Sequence, residues 1–128
     1  MSELVNAFLK RSLKFEANAK WNIEQGDYDL VVFHVEQAIQ LLLKARLLEL
    51  AGEYPKTHNL VTLIEIIYRI TGEEKYRDFL RKNRVRLAKI MDAYIASRYL
   101  ARDFYEEEAV EALALLRELR DLLGGKNV

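Results

Sequence analysis

The stretch SRYLARDFYEEEA, Ser97 to Ala109, sets Arg98, Arg102 and Asp103 among Tyr99, Phe104 and Tyr105, then runs into Glu106, Glu107 and Glu108. A guanidinium grips a phosphate bidentately, and a tyrosine ring offers a face on which a base can stack. The same residue types also serve a corner between helices. Asp103 stands three residues before Glu106, the spacing of a capping box with aspartate as N-cap. The three glutamates would then fill a first turn and offset the positive end of the helix dipole. No histidine stands near them, so they make a poor metal site.

Helical spacing upstream of this stretch places Leu80, Leu87, Met91, Tyr94 and Arg98 on one stripe. The stripe is apolar until it ends in tyrosine and arginine. Arg98 either neutralises the last carbonyls of its helix or lines a cleft or subunit interface where it can hold a phosphate. Three further features carry polar chemistry. RKNRVRLAK holds Arg81, Lys82, Arg84, Arg86 and Lys89 without an acid, with Lys82, Arg86 and Lys89 on one face; that face either touches RNA phosphates or is solvated. Glu36, Gln40 and Lys44 recur at i,i+4 on an otherwise apolar helix, as surface support or as a strip facing a partner. His58 follows Thr57 at a helix start, where local hydrogen bonding is the expected role.

Composition narrows the chemistry. The chain of 128 residues has no cysteine and two histidines, which removes thiolate nucleophiles, disulfides and Cys-ligated zinc. Lysine plus arginine number 20, as do aspartate plus glutamate, so the whole chain exerts no net pull on nucleic acid or an anionic membrane. Any anion site must be a local patch. The N-terminus lacks a signal-peptide core and no apolar run reaches the roughly 20 residues of a membrane span. A cytoplasmic protein, with no membrane association, no metal and no cofactor, is the expectation.

The elements that must position these residues are helices. Glycines and the single proline fall between helical patterns: Gly26, Gly52, Gly72, Gly124, Gly125 and Pro55. The first helix is expected from about Glu3 to Gln25, with Ser2 as N-cap and an inward face of Leu4, Phe8, Ser12, Phe15, Ala19 and Ile23. The second starts after Asp27, ends at Gly52 and is apolar nearly all round, which marks it as central. The third follows Thr57 and carries Leu60, Leu63, Ile64 and Ile67. The fourth opens at TGEE, with Thr71 and Glu74 as capping box, and runs to about Ser97. The last begins near Asp103 and ends before Gly124, with Ala109, Ala112, Leu113, Leu116 and Leu123 inward. No strand alternation appears. The reading is one all-α domain over 1–128, an antiparallel up-and-down bundle of about five helices.

Two segments carry a resemblance: FHVEQAIQLLLKARLLELAGEYPKTHNLVTLI, and YIASRY before the acidic last helix. Gln37, Ala38, Lys44, Ala45, Gly52, Pro55, Thr57, His58, Leu60, Arg98 and Tyr99 follow in order and spacing the pattern of the HEPN domain family. From about Asp27 to Ala109 the chain resembles that family. The resemblance implies a helical bundle, commonly a homodimer. It also implies a separately encoded minimal nucleotidyltransferase as partner, in a toxin–antitoxin-like pair. Other members are metal-independent RNases with an Arg-x4–6-His motif, often Arg-x4-His-x-Tyr. Here Arg98 matches the arginine and Tyr105 the tyrosine, but Asp103 stands at the histidine.

That exchange matters for chemistry. Cleaving RNA without metal needs one group to take the 2′-OH proton and one to protonate the leaving oxygen. Histidine does both near neutral pH, whereas an aspartate with pKa about 3.9 does neither well. The expectation is therefore a nucleotide- or RNA-binding protein with a degenerate RNase motif, with Arg98, Arg102, Tyr105, Tyr94 and Lys44 as candidate contacts. An active metal-independent RNase toxin and a ligand-free structural dimerisation module are the alternatives.

Overall fold

A computed structural model describes residues 2–124 as five helices: α1 (Glu3–Gln25), α2 (Tyr28–Ala51), α3 (Leu60–Thr71), α4 (Glu74–Tyr99) and α5 (Glu106–Leu122). No strand occurs among the described residues. Gly125, read as punctuation after the last helix, lies outside them.

The α1–α2 corner follows from one glycine. Gly26 takes φ 75°, a left-handed conformation that costs a side-chain-bearing residue about 1–2 kcal/mol. Its N–H donates to the Ile23 carbonyl at 3.1 Å, and the Asp27 N–H donates to Asn22 at 2.9 Å. This is a Schellman closure, which satisfies carbonyls the helix leaves open. The chain reverses, and α1 and α2 pack antiparallel along their length. Contacts run from Asn22 against His34, 2.7 Å apart, to Ser12 on Ala38, and Phe8 meets Tyr54 just beyond the end of α2.

Helix α2 is the centre of the bundle and packs against all four others. Its all-round apolar sequence demands this. Val31, Val35, Ala38, Ile39, Leu42, Leu43 and Leu47 are buried on several faces, in one core with Leu63, Ile64 and Ile67 of α3, Leu87 and Ile90 of α4, and Leu115, Leu116 and Leu119 of α5. Each buried Leu or Ile contributes about 1.5–3 kcal/mol relative to exposure. Helices α3 and α4 are antiparallel: the Leu60 N–H reaches Met91 Sδ at one end, and Tyr68 reaches Glu74 at the other.

The structure corrects three expectations, two of them at helix ends. Thr71 does not cap α4. It is the last residue of α3, where its hydroxyl donates to the Ile67 carbonyl at 2.9 Å and accepts from the Glu73 N–H at 3.2 Å. The hydroxyl thus ends one helix rather than starting the next, and Glu73 takes the N-cap place without a side-chain bond. Asp103 does not cap α5, which starts three residues later. Tyr105 takes that place, and its N–H donates to Glu108 Oε1 at 3.2 Å. The register slipped because YEEE repeats carboxylates: Glu108 completes the cap that Glu106 was expected to complete. Leu4 is 48% exposed, because the inward face of α1 is Val5, Phe8, Ser12, Glu16, Ala19 and Asn22. Glu16 is tolerated there because Arg120 of α5 reaches it, with Nε donating to Oε1 at 3.0 Å.

Candidate nucleotide-binding groove

Glu36, Gln40 and Lys44 are not surface support. They are 2%, 5% and 9% exposed and form the floor of a groove of about 710 Å³. Arg11 of α1, Tyr54, His58 and Asn59 of the α2–α3 connection, and Met91, Tyr94, Ile95 and Arg98 of α4 line the rest. A space of this size accommodates a small organic ligand. The i,i+4 spacing stacks the three polar side chains on one face of α2, and α4 crosses that face with the polar end of its Leu80–Arg98 stripe. The arginine at the end of an apolar stripe is explained by this opening. Arg98 is exposed at the mouth, while Leu80 and Leu87 further down are buried.

A hydrogen-bond chain ties the floor to the wall. Gln40 Nε2 donates to Glu36 Oε2 at 3.0 Å and also to the His58 carbonyl. Gln37 Nε2 donates to the Tyr94 hydroxyl at 3.0 Å and, more weakly, to Glu36 Oε1 at 3.4 Å. Arg98 Nη1 donates to the same hydroxyl at 2.9 Å. Its guanidinium carbon lies 5.2 Å from the Tyr94 ring centroid and 4.8 Å from that of Tyr99. Arg98 thus spends itself on aromatic faces and a hydroxyl, not on the last carbonyls of α4. Tyr94 is held in turn by stacking on Phe33, with centroids 5.6 Å apart.

The electrostatics are those of a desolvated mixed-charge site. Burial pushes the Glu36 carboxyl above its ordinary value, opposed by hydrogen bonds from Gln40 and Gln37 and by the charges of Lys44 and Arg98. Burial lowers the Lys44 ammonium, opposed by Glu36. Arg11, Lys44 and Arg98 form no salt bridge among the described residues. Lys44 Nζ faces the Tyr54 ring at 5.6 Å. A net positive groove in a neutral chain is the local patch that composition required of an anion site.

Of the five candidate contacts, this groove brings together three: Lys44, Tyr94 and Arg98. Arg102 lies instead on a second groove between α4 and α5. There it grips Glu108, Nη1 to Oε1 at 3.1 Å and Nη2 to Oε2 at 2.9 Å, and covers the Phe104 ring at 3.7 Å. Tyr105 is exposed at the start of α5 and lines neither groove, and Asp103 is likewise exposed. The basic run is also broken up: Arg86 pairs with Glu111 and with Glu118 at 2.7 Å, and Arg81 faces Asp78 at 3.5 Å. Sequence reasoning placed Gln40 only on the polar strip with Glu36 and Lys44, and it did not single out Gln37, Arg11 or Tyr54 as site residues. The signal for the glutamines was the run of polar positions on a helix that is apolar nearly all round. Nothing local marks Arg11 or Tyr54, which the packing of α1 and the loop bring in.

No helix is long and apolar enough to cross a membrane among the described residues. Comparison with curated proteins and with solved structures finds no match. The family model of the HEPN domain matches residues 5–126, so nearly all of this five-helix bundle, the α2–α4 groove included, falls within it, and the chain belongs to the HEPN domain family.

Proposed function

We propose that this HEPN protein binds a nucleotide, free or as part of RNA, in the α2–α4 groove. On this reading it acts as a cytoplasmic homodimer partnered by a separately encoded minimal nucleotidyltransferase. The observation that carries the reading is the convergence of Arg11, Lys44 and Arg98, none in a salt bridge, on one groove with a tyrosine wall. Cations supply affinity for phosphate, and an arginine already held against a tyrosine by stacking is pre-organised for it. Family membership and the partner that commonly accompanies it support the rest.

The test is titration calorimetry of nucleoside monophosphates into the purified protein and its Arg98→Ala variant, with co-elution of the neighbouring gene product in gel filtration. Saturable binding that the variant loses supports the reading. Absence of binding to any nucleotide, or unchanged binding by the variant, overturns it.

A further inference from the structure

The outer side of α1 continues the groove as a basic stripe. Arg11, which lines the groove, is followed by Lys14, Asn18 and Trp21 at spacings of three, four and three residues, so the four side chains share one face of the helix. Lys10 stands one turn before Lys14. All five are exposed, while Ser12, Glu16 and Ala19 are buried on the opposite side. Lys10, Arg11 and Lys14 form no salt bridge among the described residues. The one acid between Lys10 and Trp21 is Glu16, which is buried and held by Lys20 and Arg120. Trp21 is the single tryptophan of the chain and is 60% exposed. Its ring pairs with no other aromatic ring and no cation among the described residues. One turn before it stand only the short side chains of Ala17 and Asn18. A tryptophan left this open forfeits one of the largest burial gains a side chain offers.

A row of cations outside any salt bridge that ends in an open aromatic ring fits one ligand class. Cations track a phosphate backbone, and an unstacked base lies on the ring. Ten residues of helix separate Arg11 from Trp21, about 15 Å, a span that takes a chain of nucleotides rather than one. We infer that the ligand is a single strand of nucleic acid: one nucleotide occupies the α2–α4 groove, and the strand leaves it past Arg11 and Lys14 to stack a base on Trp21. A duplex keeps its bases stacked on one another and has no face to offer the indole. A protein partner would meet the ring with a patch depleted of charge at its centre, whereas Trp21 stands among Lys14, Asn18, Glu24 and Gln25. This rests on the nucleotide reading above and extends it from one nucleotide to a strand.

The lone tryptophan is its own reporter. The intact protein is titrated at low salt with an oligouridylate of about ten nucleotides, within the range of single-strand site sizes, with an RNA duplex of equal length and with UMP. Calorimetry gives the affinities, and Trp21 emission gives the contact. The oligouridylate should quench that emission saturably and bind about tenfold or more tighter than UMP, since stacking and phosphate contacts add. Trp21→Ala and Lys14→Ala, both at exposed positions and checked for folding by circular dichroism, should each lower oligouridylate affinity about fivefold or more. UMP affinity should stay within about twofold in both, because neither residue lines the groove. Oligouridylate binding no tighter than UMP, binding without a change in Trp21 emission, equally tight binding of the duplex, or unchanged binding by either variant overturns the strand and leaves the nucleotide groove standing. Co-elution of the neighbouring gene product that Trp21→Ala abolishes, with no oligouridylate binding, makes this face a protein interface and overturns the strand as well. No binding of either UMP or oligouridylate removes both readings.

Discussion

The Tyr94 hydroxyl accepts from two side chains at once, Gln37 Nε2 at 3.0 Å and Arg98 Nη1 at 2.9 Å. Both of its acceptor sites are thereby used, and its own proton is left as a free donor. The hydroxyl therefore both positions Arg98 and offers a donor beside it. Arg98→Ala should weaken nucleotide binding about tenfold or more, since a hydrogen bond to a charged group is worth about 1.5–3 kcal/mol. Its exposure keeps the stability change within about 0.5 kcal/mol. Tyr94→Phe should cost about 1 kcal/mol of stability, because Gln37 loses its acceptor, and weaken binding by a smaller factor than Arg98→Ala. Urea unfolding and calorimetry read the two effects separately.

How far this site could be read in advance depended on what each residue reports about its neighbours. Helical spacing located Arg98 and Tyr94, because a polar end on an apolar stripe is visible within one helix. Ser2, Gln25 and Gly26 bound α1 as expected, since capping chemistry is local. Glu36, Gln40 and Lys44 were visible as a strip but not as a buried floor: their burial depends on α4 and the α2–α3 connection crossing them, and a helix face cannot report what lies over it. Arg102 was drawn toward Arg98 by four residues of proximity. In the fold α4 ends at Tyr99, the backbone turns extended at Leu100, and Glu108 captures the second arginine. Local charge pattern likewise made RKNRVRLAK look like a patch, while the carboxylates of α5 that neutralise Arg86 lie 25 and 32 residues away.

Glu36 should give the protein an unusual pH signature. Its folded-state pKa lies above the ordinary 4.5, chiefly through burial. The native state then binds its proton more tightly than the unfolded state, so stability falls as pH rises from 4.5 through the raised value, and the cost is complete above it. Glu36→Gln removes that titration. Relative to wild type, the variant should gain most in melting temperature at pH 7–8, and the gain should shrink towards pH 4. Thermal melts across that range decide it; a difference independent of pH would mean Glu36 is ionised at no cost. Glu108 and Glu118 act in the opposite sense. Arg102 and Arg86 hold their carboxyls below the ordinary value, so their contributions are present above 4.5 and disappear as pH falls further.

The tie between the first and last helices is a buried network with a definite weakness. Arg120 donates from Nε to Glu16 at 3.0 Å and from Nη2 to Ser12 Oγ at 3.2 Å, while Ser12 donates to the Ala38 carbonyl at 2.7 Å. Arg120 Nη1 is buried without a partner. Arg120→Ala should cost about 3 kcal/mol, because Glu16 is left buried with only the half-exposed Lys20, 3.5 Å away, for company. The Glu16→Ala, Arg120→Ala double variant should lose less than the sum of the singles, with a coupling of about 1–3 kcal/mol. Additive losses in urea unfolding would show that the contact contributes little beyond packing.

Arg102 separates the fold of this region from its binding chemistry. It grips Glu108, and Glu108 also accepts the Tyr105 N–H that opens α5. Removing the arginine loosens the carboxylate that completes the cap, a device worth about 1 kcal/mol. Arg102→Ala and Glu108→Gln should therefore each lower stability by up to about 1 kcal/mol and reduce the protection of the first α5 amides from hydrogen exchange. Neither should change nucleotide affinity by more than about twofold, because neither residue lines the α2–α4 groove. A large loss of binding in Arg102→Ala with unaltered α5 protection would place the ligand on the other side of α4, against the groove where Arg98 stands.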